Sequence, residues 1–168
     1  MVNVFYDIET LGLNPMKDRI VSIAIDKENI PYVFLNEDEK IMLREFWSFI
    51  SRDDMLIGFN NVDFDFPFLI KRSLINNVIV ENNVTHLDLR RVTNSFHMNY
   101  DKFVKGKLTD WAEIMGLPVE TEDGSQMPIK WKNKEYENIR KHNLEDVKIT
   151  KALYNRSVSI KLLEVFLD

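Results

Sequence analysis

The first third of the chain consists of short apolar segments separated by polar turns. The segments at residues 2–6, 20–25 and 32–35 are rich in β-branched and aromatic side chains, which is typical of β-strands. Residues 26–31 form a short polar connection between the second and third segments. Three consecutive strands with short connections predict an antiparallel meander.

Beyond residue 36 the spacing of apolar residues lengthens from the period of a strand to that of a helix. Glu37, Asp38 and Glu39 precede apolar positions at helical spacing, and acidic residues in a first turn suit the helix dipole. Further strands are predicted at 55–59 and 85–89. Further helices are predicted after Asp65 and at 108–115 and 135–154. Strands followed by strand–helix alternation predict an α/β fold with a mixed sheet flanked by helices.

Two finer expectations concern the segments between these elements. In the helix after Asp65, we expect Phe68, Leu69 and Leu74 to pack inward. Residues 120–134, which contain Gly124, Pro128 and three lysines, are predicted to form a mobile loop.

Composition excludes several classes of protein. The 168 residues include no cysteine, which rules out disulfide frameworks, zinc fingers, iron–sulfur clusters and thiol nucleophiles. The apolar N-terminus soon meets Asp7 and Glu9, and about 18 consecutive apolar residues occur nowhere, so neither a signal peptide nor a membrane span is expected. We therefore expect one cytoplasmic domain spanning residues 1–168.

The charge is unevenly distributed along the chain. The net charge of −5 argues against a nucleic-acid partner, since such proteins usually have a basic excess. However, residues 1–89 carry 8 basic and 15 acidic residues, whereas residues 90–141 carry 10 and 8. The acidity is concentrated in the part of the chain that holds most of the candidate chemistry.

Asp7 and Glu9 end the first predicted strand. Two residues apart on a strand, their side chains leave the same face, where two uncompensated carboxylates are costly to desolvate. A hard divalent cation such as Mg²⁺ or Mn²⁺ would resolve that conflict, because both prefer oxygen ligands. Taken alone, the pair also fits a solvated strand end.

Three further polar residues lie in or next to predicted helices. Asp65 follows a buried strand and precedes an apolar helix, at the sheet edge where open α/β sheets bind ligands, although it also fits a helix cap. His142 and Asp146, four residues apart, share one face of the last predicted helix, which also fits a solvated surface.

Together these segments resemble a known family. Tyr6-Asp7-Ile8-Glu9-Thr10, then Gly58-Phe59-Asn60-x-x-x-Phe64-Asp65-x-Pro67-Phe68-Leu69, then His142-x-x-x-Asp146 resemble, in that order, the three motifs of DEDD-superfamily 3′→5′ exonucleases. The likeness is greatest to the proofreading domain of family-B DNA polymerases and its stand-alone relatives. With 168 residues and no room for a polymerase module, a stand-alone exonuclease is expected.

The resemblance implies a ribonuclease H-like fold and a two-metal-ion mechanism. It implies that Asp7, Glu9, Asp65 and Asp146 bind two divalent cations, Mg²⁺ or Mn²⁺, which clamp the scissile phosphate. Four carboxylates and two dications are close to neutral, so an acidic protein of this kind can bind a polyanion. A role in DNA repair or replication is expected from the same resemblance.

His142 departs from the family pattern. The polymerase-type relatives have tyrosine four residues before the last aspartate, and another branch has histidine five residues before it. This chain has histidine at the tyrosine spacing. We interpret neutral His142 as a catalytic residue that orients or deprotonates the attacking water, since imidazole is a competent base near neutral pH; the alternative is a surface histidine.

Candidate contacts to the substrate lie beside the motifs and in the basic segment. Leu11 is expected, from the resemblance, to wedge against the terminal base, and Asn60 to meet a sugar or phosphate. Phe64 is a further candidate, although packing in the core is the competing interpretation. The other candidate contacts are Thr10, Lys130 and Lys132. The alternative interpretation of the two lysines is that they are ordinary solvated side chains.

The expected partner is nucleic acid, with the 3′ end of single-stranded DNA favoured and RNA as the nearest rival. A catalytically idle module of the same fold that binds nucleic acid or protein is a second alternative. The apolar segment at residues 160–167 is expected either to complete the core or to contact another subunit or a protein partner. No membrane association is expected.

Overall fold

The computed structural model describes residues 1–81, 83–94, 106–118 and 124–164. The strands within these residues are β1 (Val2–Thr10), β2 (Ile20–Lys27), β3 (Ile30–Phe34), β4 (Asp54–Gly58) and β5 (Thr85–Asp88). The helices are α1 (Glu39–Phe49), α2 (Asp65–Ile75), α3 (Leu89–Asn94), α4 (Leu108–Ile114), α5 (Met127–Lys132) and α6 (Tyr136–Ser159), and a 3₁₀ turn at Gly124–Gln126 leads into α5.

The strands form one mixed sheet in the order β3-β2-β1-β4-β5. β1, β2 and β3 are antiparallel neighbours, whereas β4 runs parallel to β1 and β5 runs parallel to β4. The predicted meander and the predicted mixed α/β sheet are therefore confirmed. β1 lies at the centre, so the carboxyl ends of β1, β4 and β5 share one edge of the sheet.

The two faces of the sheet carry separate apolar clusters. Val4, Tyr6 and Ile8 of β1 belong to the cluster that includes α1 and α2 side chains. Phe5 belongs to the cluster that includes α6 side chains. Because strand side chains alternate between faces, the odd-numbered residues Asp7 and Glu9 lie on the side of the sheet that α6 covers.

A buried carboxylate joins three elements on the other face. Glu39, at the start of α1, is only 7% exposed. Its Oε1 accepts the Ile20 N–H of β2 at 2.8 Å, and its Oε2 accepts Arg72 Nη2 of α2 at 2.6 Å and Asn76 Nδ2 at 3.1 Å. The pairing satisfies both buried ions, as burial of charge requires, and it holds α1 and α2 against the sheet.

The segment predicted to be a mobile loop is partly helical. Residues 120–123 lie outside the described residues, but 124–126 form the 3₁₀ turn and 127–132 form α5. Met127 is fully buried in a cluster with Val21 and Ile139, and Pro128 lies in the first turn, where proline is tolerated. For residues 124–132, the prediction of a loop is therefore wrong.

One predicted core position is also wrong. Leu69 is fully buried, but Leu74 in the same helix is 80% exposed. Five residues advance a helix by a full turn plus about 140°, so Leu74 emerges on the side opposite Leu69. The other two expected positions, Phe68 and Leu69, are buried as predicted.

The C-terminal apolar segment divides between core and surface. Leu163 is 4% exposed and belongs to the α6-side cluster, whereas Ile160 is 65% exposed. Residues 165–168 lie outside the described residues. A subunit or protein contact through this segment stays a prediction.

Leu69→Ala and Leu74→Ala form a matched pair on one helix. We expect Leu69→Ala to lower the free energy of unfolding by about 2–5 kcal/mol, because it leaves a cavity in the core. Leu74→Ala removes an exposed side chain and should change it by less than about 0.5 kcal/mol. Urea denaturation measures both, and equal losses would contradict the burial described above.

Candidate active site

The odd-numbered face of β1 presents two carboxylates to α6. Glu9 is 6% exposed and Asp7 is half-buried. The register between β1 and β2 shifts between Glu9 and Thr10. Such irregularities occur at strand ends near functional sites and redirect the side chains that follow. The strand therefore ends in a change of direction immediately after Glu9.

Helix α6 supplies an imidazole and a third carboxylate. His142 Nε2 lies 3.5 Å from Glu9 Oε1 and 3.9 Å from Asp146 Oδ2. One ligand atom from each of these three side chains lies within 4.8 Å of the other two. His142 is buried and the Asp146 side chain is 26% exposed, so the cluster is open to solvent on the Asp146 side.

Asp65 joins this cluster from helix α2. It is the first residue of α2 and is 4% exposed. Beyond the end of β4, its Oδ1 accepts the main-chain N–H of Ile8 at 3.2 Å. The structure thus brings Asp7, Glu9, Asp65, His142 and Asp146 together from three elements, and Asp65 binds the strand between the two β1 carboxylates.

Burial and mutual repulsion disfavour ionisation of these acids. Burial is the largest cause that raises the pKa of Asp7 and of Glu9, and the charges of Asp65 and Asp146 raise both further. Burial also raises the pKa of Asp65 from its ordinary 3.8 to about 7, although the hydrogen bond from Ile8 opposes the shift. A cation bound among them would relieve this repulsion. The donors, mostly carboxylate oxygens, suit a hard divalent metal.

Asn143 was missed by sequence reasoning. It is fully buried next to His142, and its Nδ2 donates to Asp7 Oδ2 at 2.7 Å. Its Oδ1 accepts the Ser22 hydroxyl of β2, also at 2.7 Å. This chain of hydrogen bonds fixes the Asp7 carboxylate and lowers its pKa against the other causes. One signal was available, because Ser22 interrupts the apolar run at residues 20–25.

Lys130 lies inside the site rather than on an exposed basic face. It is 6% exposed, and its charge lowers the pKa of Glu9. Gly124 is also close, since a Cβ at that position would lie 3.7 Å from Glu9 Oε2. The 3₁₀ turn and α5 therefore border Glu9. Lys132, two residues later, is exposed, so the two predicted phosphate-binding lysines have different surroundings.

The remaining predicted contact residues lie around the same edge. The Thr10 hydroxyl donates to the Gly12 carbonyl at 2.7 Å. Leu11 is half-buried against the cluster of Val21, Met127 and Ile139. Thr10 and Leu11 directly follow Glu9, which places them at the border of the carboxylate cluster.

Asn60 and Phe64 lie in the turn between β4 and α2. Asn60 has φ of 70°, a left-handed conformation that asparagine tolerates better than most residues. Its Oδ1 accepts Arg90 Nη1 at 2.6 Å. Phe64 is partly buried, with its ring centroid 5.5 Å from that of Phe68, so it has the core contacts of the competing interpretation.

A sequence model of the RNase_H superfamily matches residues 4–158, nearly the whole chain. The chain belongs to the RNase H superfamily. The uncharacterized protein MJ0365 of Methanocaldococcus jannaschii is 33% identical over 178 aligned positions, which cover 98% of this chain and 99% of that protein. The family and the ribonuclease H-like fold expected from the motifs are thereby confirmed.

Solved structures of exonuclease I share the RNase H fold of this chain. The E. coli enzyme in complex with a 5cy-dT13 oligonucleotide superposes with a TM-score of 0.67 at 15% identity, covering 98% of this chain. An apo exonuclease I superposes with a TM-score of 0.68, also at 15% identity and 98% coverage. This chain spans only 42% and 44% of those two chains. The likeness establishes the shared fold.

Within the described ranges, no helix of this RNase H superfamily member is both long enough and apolar enough to cross a bilayer.

The raised pKa of Asp65 predicts how stability varies with pH in the absence of metal. As pH rises above 3.8, the unfolded chain ionises Asp65 while the folded protein keeps it protonated up to about 7. Folding stability is therefore lost across that window and stays low above it. We expect Asp65→Asn to lose less stability than wild type between about pH 5 and about pH 8 in urea denaturation with EDTA.

Asp63→Asn is the control for this comparison, because the Asp63 side chain is 60% exposed and lies two residues away. Its pH dependence should match that of wild type. An equal loss of stability in wild type and Asp65→Asn would contradict a raised pKa at Asp65.

Proposed function

We propose that the protein is a metal-dependent 3′→5′ exonuclease that releases nucleoside monophosphates from the 3′ end of DNA, preferentially single-stranded. In this proposal residues 1–168 act as one exonuclease domain. The observation that carries the proposal is the convergence of Asp7, Glu9, Asp65 and Asp146 with His142 at one edge of the sheet. No other part of the described chain gathers buried acids in this way.

The four carboxylates would hold two divalent cations, Mg²⁺ or Mn²⁺. Their oxygens match the ligand preference of both ions, and four negative charges balance two dications. When bound, such a pair polarises a phosphodiester and lowers the pKa of water. Asn143 would keep Asp7 oriented through the 2.7 Å hydrogen bond, and Ile8 would do the same for Asp65.

His142 would receive a proton from the attacking water. A water oxygen attacks the phosphorus of the terminal phosphodiester, the bond to the 3′ oxygen of the preceding nucleotide breaks, and the terminal nucleotide leaves as a 5′-monophosphate. His142 Nε2 lies 3.5 Å from Glu9 Oε1 and 3.9 Å from Asp146 Oδ2, so the ring nitrogen that would take the proton lies among the proposed metal ligands. The tyrosine of related enzymes could orient the water but is a weaker base near neutral pH.

Single-stranded DNA is the preferred substrate in this proposal. The support is the superposition on exonuclease I in complexes with dT13 oligonucleotides. Discrimination between DNA and RNA depends on contacts to the 2′ hydroxyl.

The first test is cleavage of 5′-labelled single-stranded DNA, duplex DNA and RNA of one sequence. With Mg²⁺ or Mn²⁺ we expect a ladder that shortens from the 3′ end, fastest on single-stranded DNA, and no ladder with EDTA. Asp65→Asn should lower the rate by at least about 100-fold, as the loss of one group that organises transition-state charge does elsewhere. Denaturing gel electrophoresis measures each rate.

Asp63→Asn should cleave like wild type, because this aspartate is 60% exposed and pairs with Arg91 rather than with the cluster. Faster cleavage of RNA would change the substrate in the proposal to RNA. If wild type cleaves none of the three substrates with either metal, the proposed activity is wrong.

The second test concerns the proton acceptor. We expect wild-type kcat/KM to fall at acidic pH, because protonated His142 cannot accept a proton. His142→Tyr should remain active with this acidic limb altered, whereas His142→Ala should lose most activity. His86→Gln is the control, since His86 packs against the Phe66 ring away from the cluster. Full activity of His142→Ala would exclude the assigned role.

A further inference from the structure

Asp88 organises the edge of the sheet beside the carboxylate cluster. It ends β5 next to Gly58 of β4 and is 5% exposed. Its carboxylate accepts main-chain N–H groups from Asn60 at 2.9 Å, Val62 at 3.2 Å and Arg90 at 2.9 Å. One buried side chain thus joins the turn after β4 to the beginning of α3.

The same turn carries Asp65. The Asn60 carbonyl accepts the N–H groups of Asp63 and Phe64, which lead directly into α2. The charge of Asp88 is among those that raise the pKa of Asp65, which places the two carboxylates in one neighbourhood. Arg90, anchored through Asp88, therefore leaves the sheet beside the proposed catalytic residues.

The Arg90 guanidinium is hydrogen-bonded to an amide but forms no salt bridge within the described residues. Its Nη1 donates to Asn60 Oδ1 at 2.6 Å, and within the described chain no carboxylate lies within 4.0 Å of it. Its neighbour Arg91 pairs with Asp63 at 2.6 Å, and Arg72 pairs with Glu39 at the same distance. A guanidinium has five N–H donors, and Asn60, as a neutral amide, orients the group without cancelling its charge.

We propose that Arg90, oriented by Asn60, binds a non-scissile phosphodiester of the nucleic-acid strand whose 3′ end reaches the carboxylate cluster. This inference rests on the proposed exonuclease function and adds a binding contact to it. A half-buried, pre-oriented guanidinium with free donors suits a phosphate, because the charge-assisted bonds form without much loss of side-chain entropy. Asn60 then acts as a positioning residue for Arg90 rather than as a direct contact.

The main experiment compares Arg90→Gln with Arg91→Gln. Binding of a fluorescent oligothymidylate is measured by anisotropy over a NaCl series, with Ca²⁺ replacing Mg²⁺ to limit cleavage. Each phosphate contact to a single strand contributes about 0.7 to the slope of log K against log salt. We expect Arg90→Gln to reduce the slope by about that amount and to raise Kd roughly tenfold. Arg91→Gln should change neither.

Steady-state kinetics with Mg²⁺ separates binding from chemistry. Arg90→Gln should raise KM with kcat nearly unchanged, because the contact is made equally in the ground state and the transition state. Arg90→Lys keeps the charge and should recover part of the affinity. If the glutamine variant fails to fold, a folded Arg90→Ala replaces it, and affinity equal to wild type in Arg90→Ala would overturn the inference.

A double-mutant cycle tests the role of Asn60. Asn60→Ala alone should weaken binding, but it should have no further effect in the Arg90→Gln background, since it acts through the guanidinium. Additive losses would mean that Asn60 contacts the strand itself, which overturns its positioning role.

The possible failures are distinguishable. If wild type neither binds nor cleaves nucleic acid, the proposed function and this inference are both wrong. If wild type cleaves, but Arg90→Gln has the salt slope and KM of Arg91→Gln, the phosphate contact is wrong and the exonuclease proposal stands.

Discussion

Strand β1 has an apolar layer on one face and a cluster of carboxylates on the other. The alternation of its side chains between the two faces keeps these environments apart. Its even-numbered residues enter the apolar layer under α1 and α2, while Asp7 and Glu9 face α6. A shift of one residue in register would place both acids in that apolar layer. The pairing of β1 with β2 and β4 therefore fixes the position of the candidate site as well as the core.

The helix that covers this face completes the site with very few residues. Over two turns α6 contributes His142, Asn143 and Asp146, and the apolar residues Val147 and Leu153 further along hold it against the sheet. Asn143 connects the layers, because it bonds Ser22 of β2 and Asp7 of β1 at once. The orientation of Asp7 thus depends on the packing of a helix more than 130 residues away in sequence.

Local pattern was sufficient to predict the mixed sheet and the helices on which Asp65 and Asp146 lie. Apolar runs predicted the meander, and the spacing of the motifs located Asp65 and Asp146 on their helices. The contacts between distant segments were not predictable in this way. Nothing near Asn60 indicates that its amide meets Arg90, and nothing near Lys130 indicates burial next to Glu9. The short helix α3 was missed because a side chain, that of Asp88, starts it.

The four closely spaced acids also affect which substitutions the fold tolerates. Replacing Asp7 or Asp65 with its amide would keep the shape of the side chain and remove repulsion among the buried acids. Such a substitution would therefore raise the free energy of unfolding. Both apolar clusters are complete without the acids, so the core does not depend on their charge. In the absence of a bound cation the four acids therefore cost the fold stability, and an amide in place of Asp7 or Asp65 would remove part of that cost.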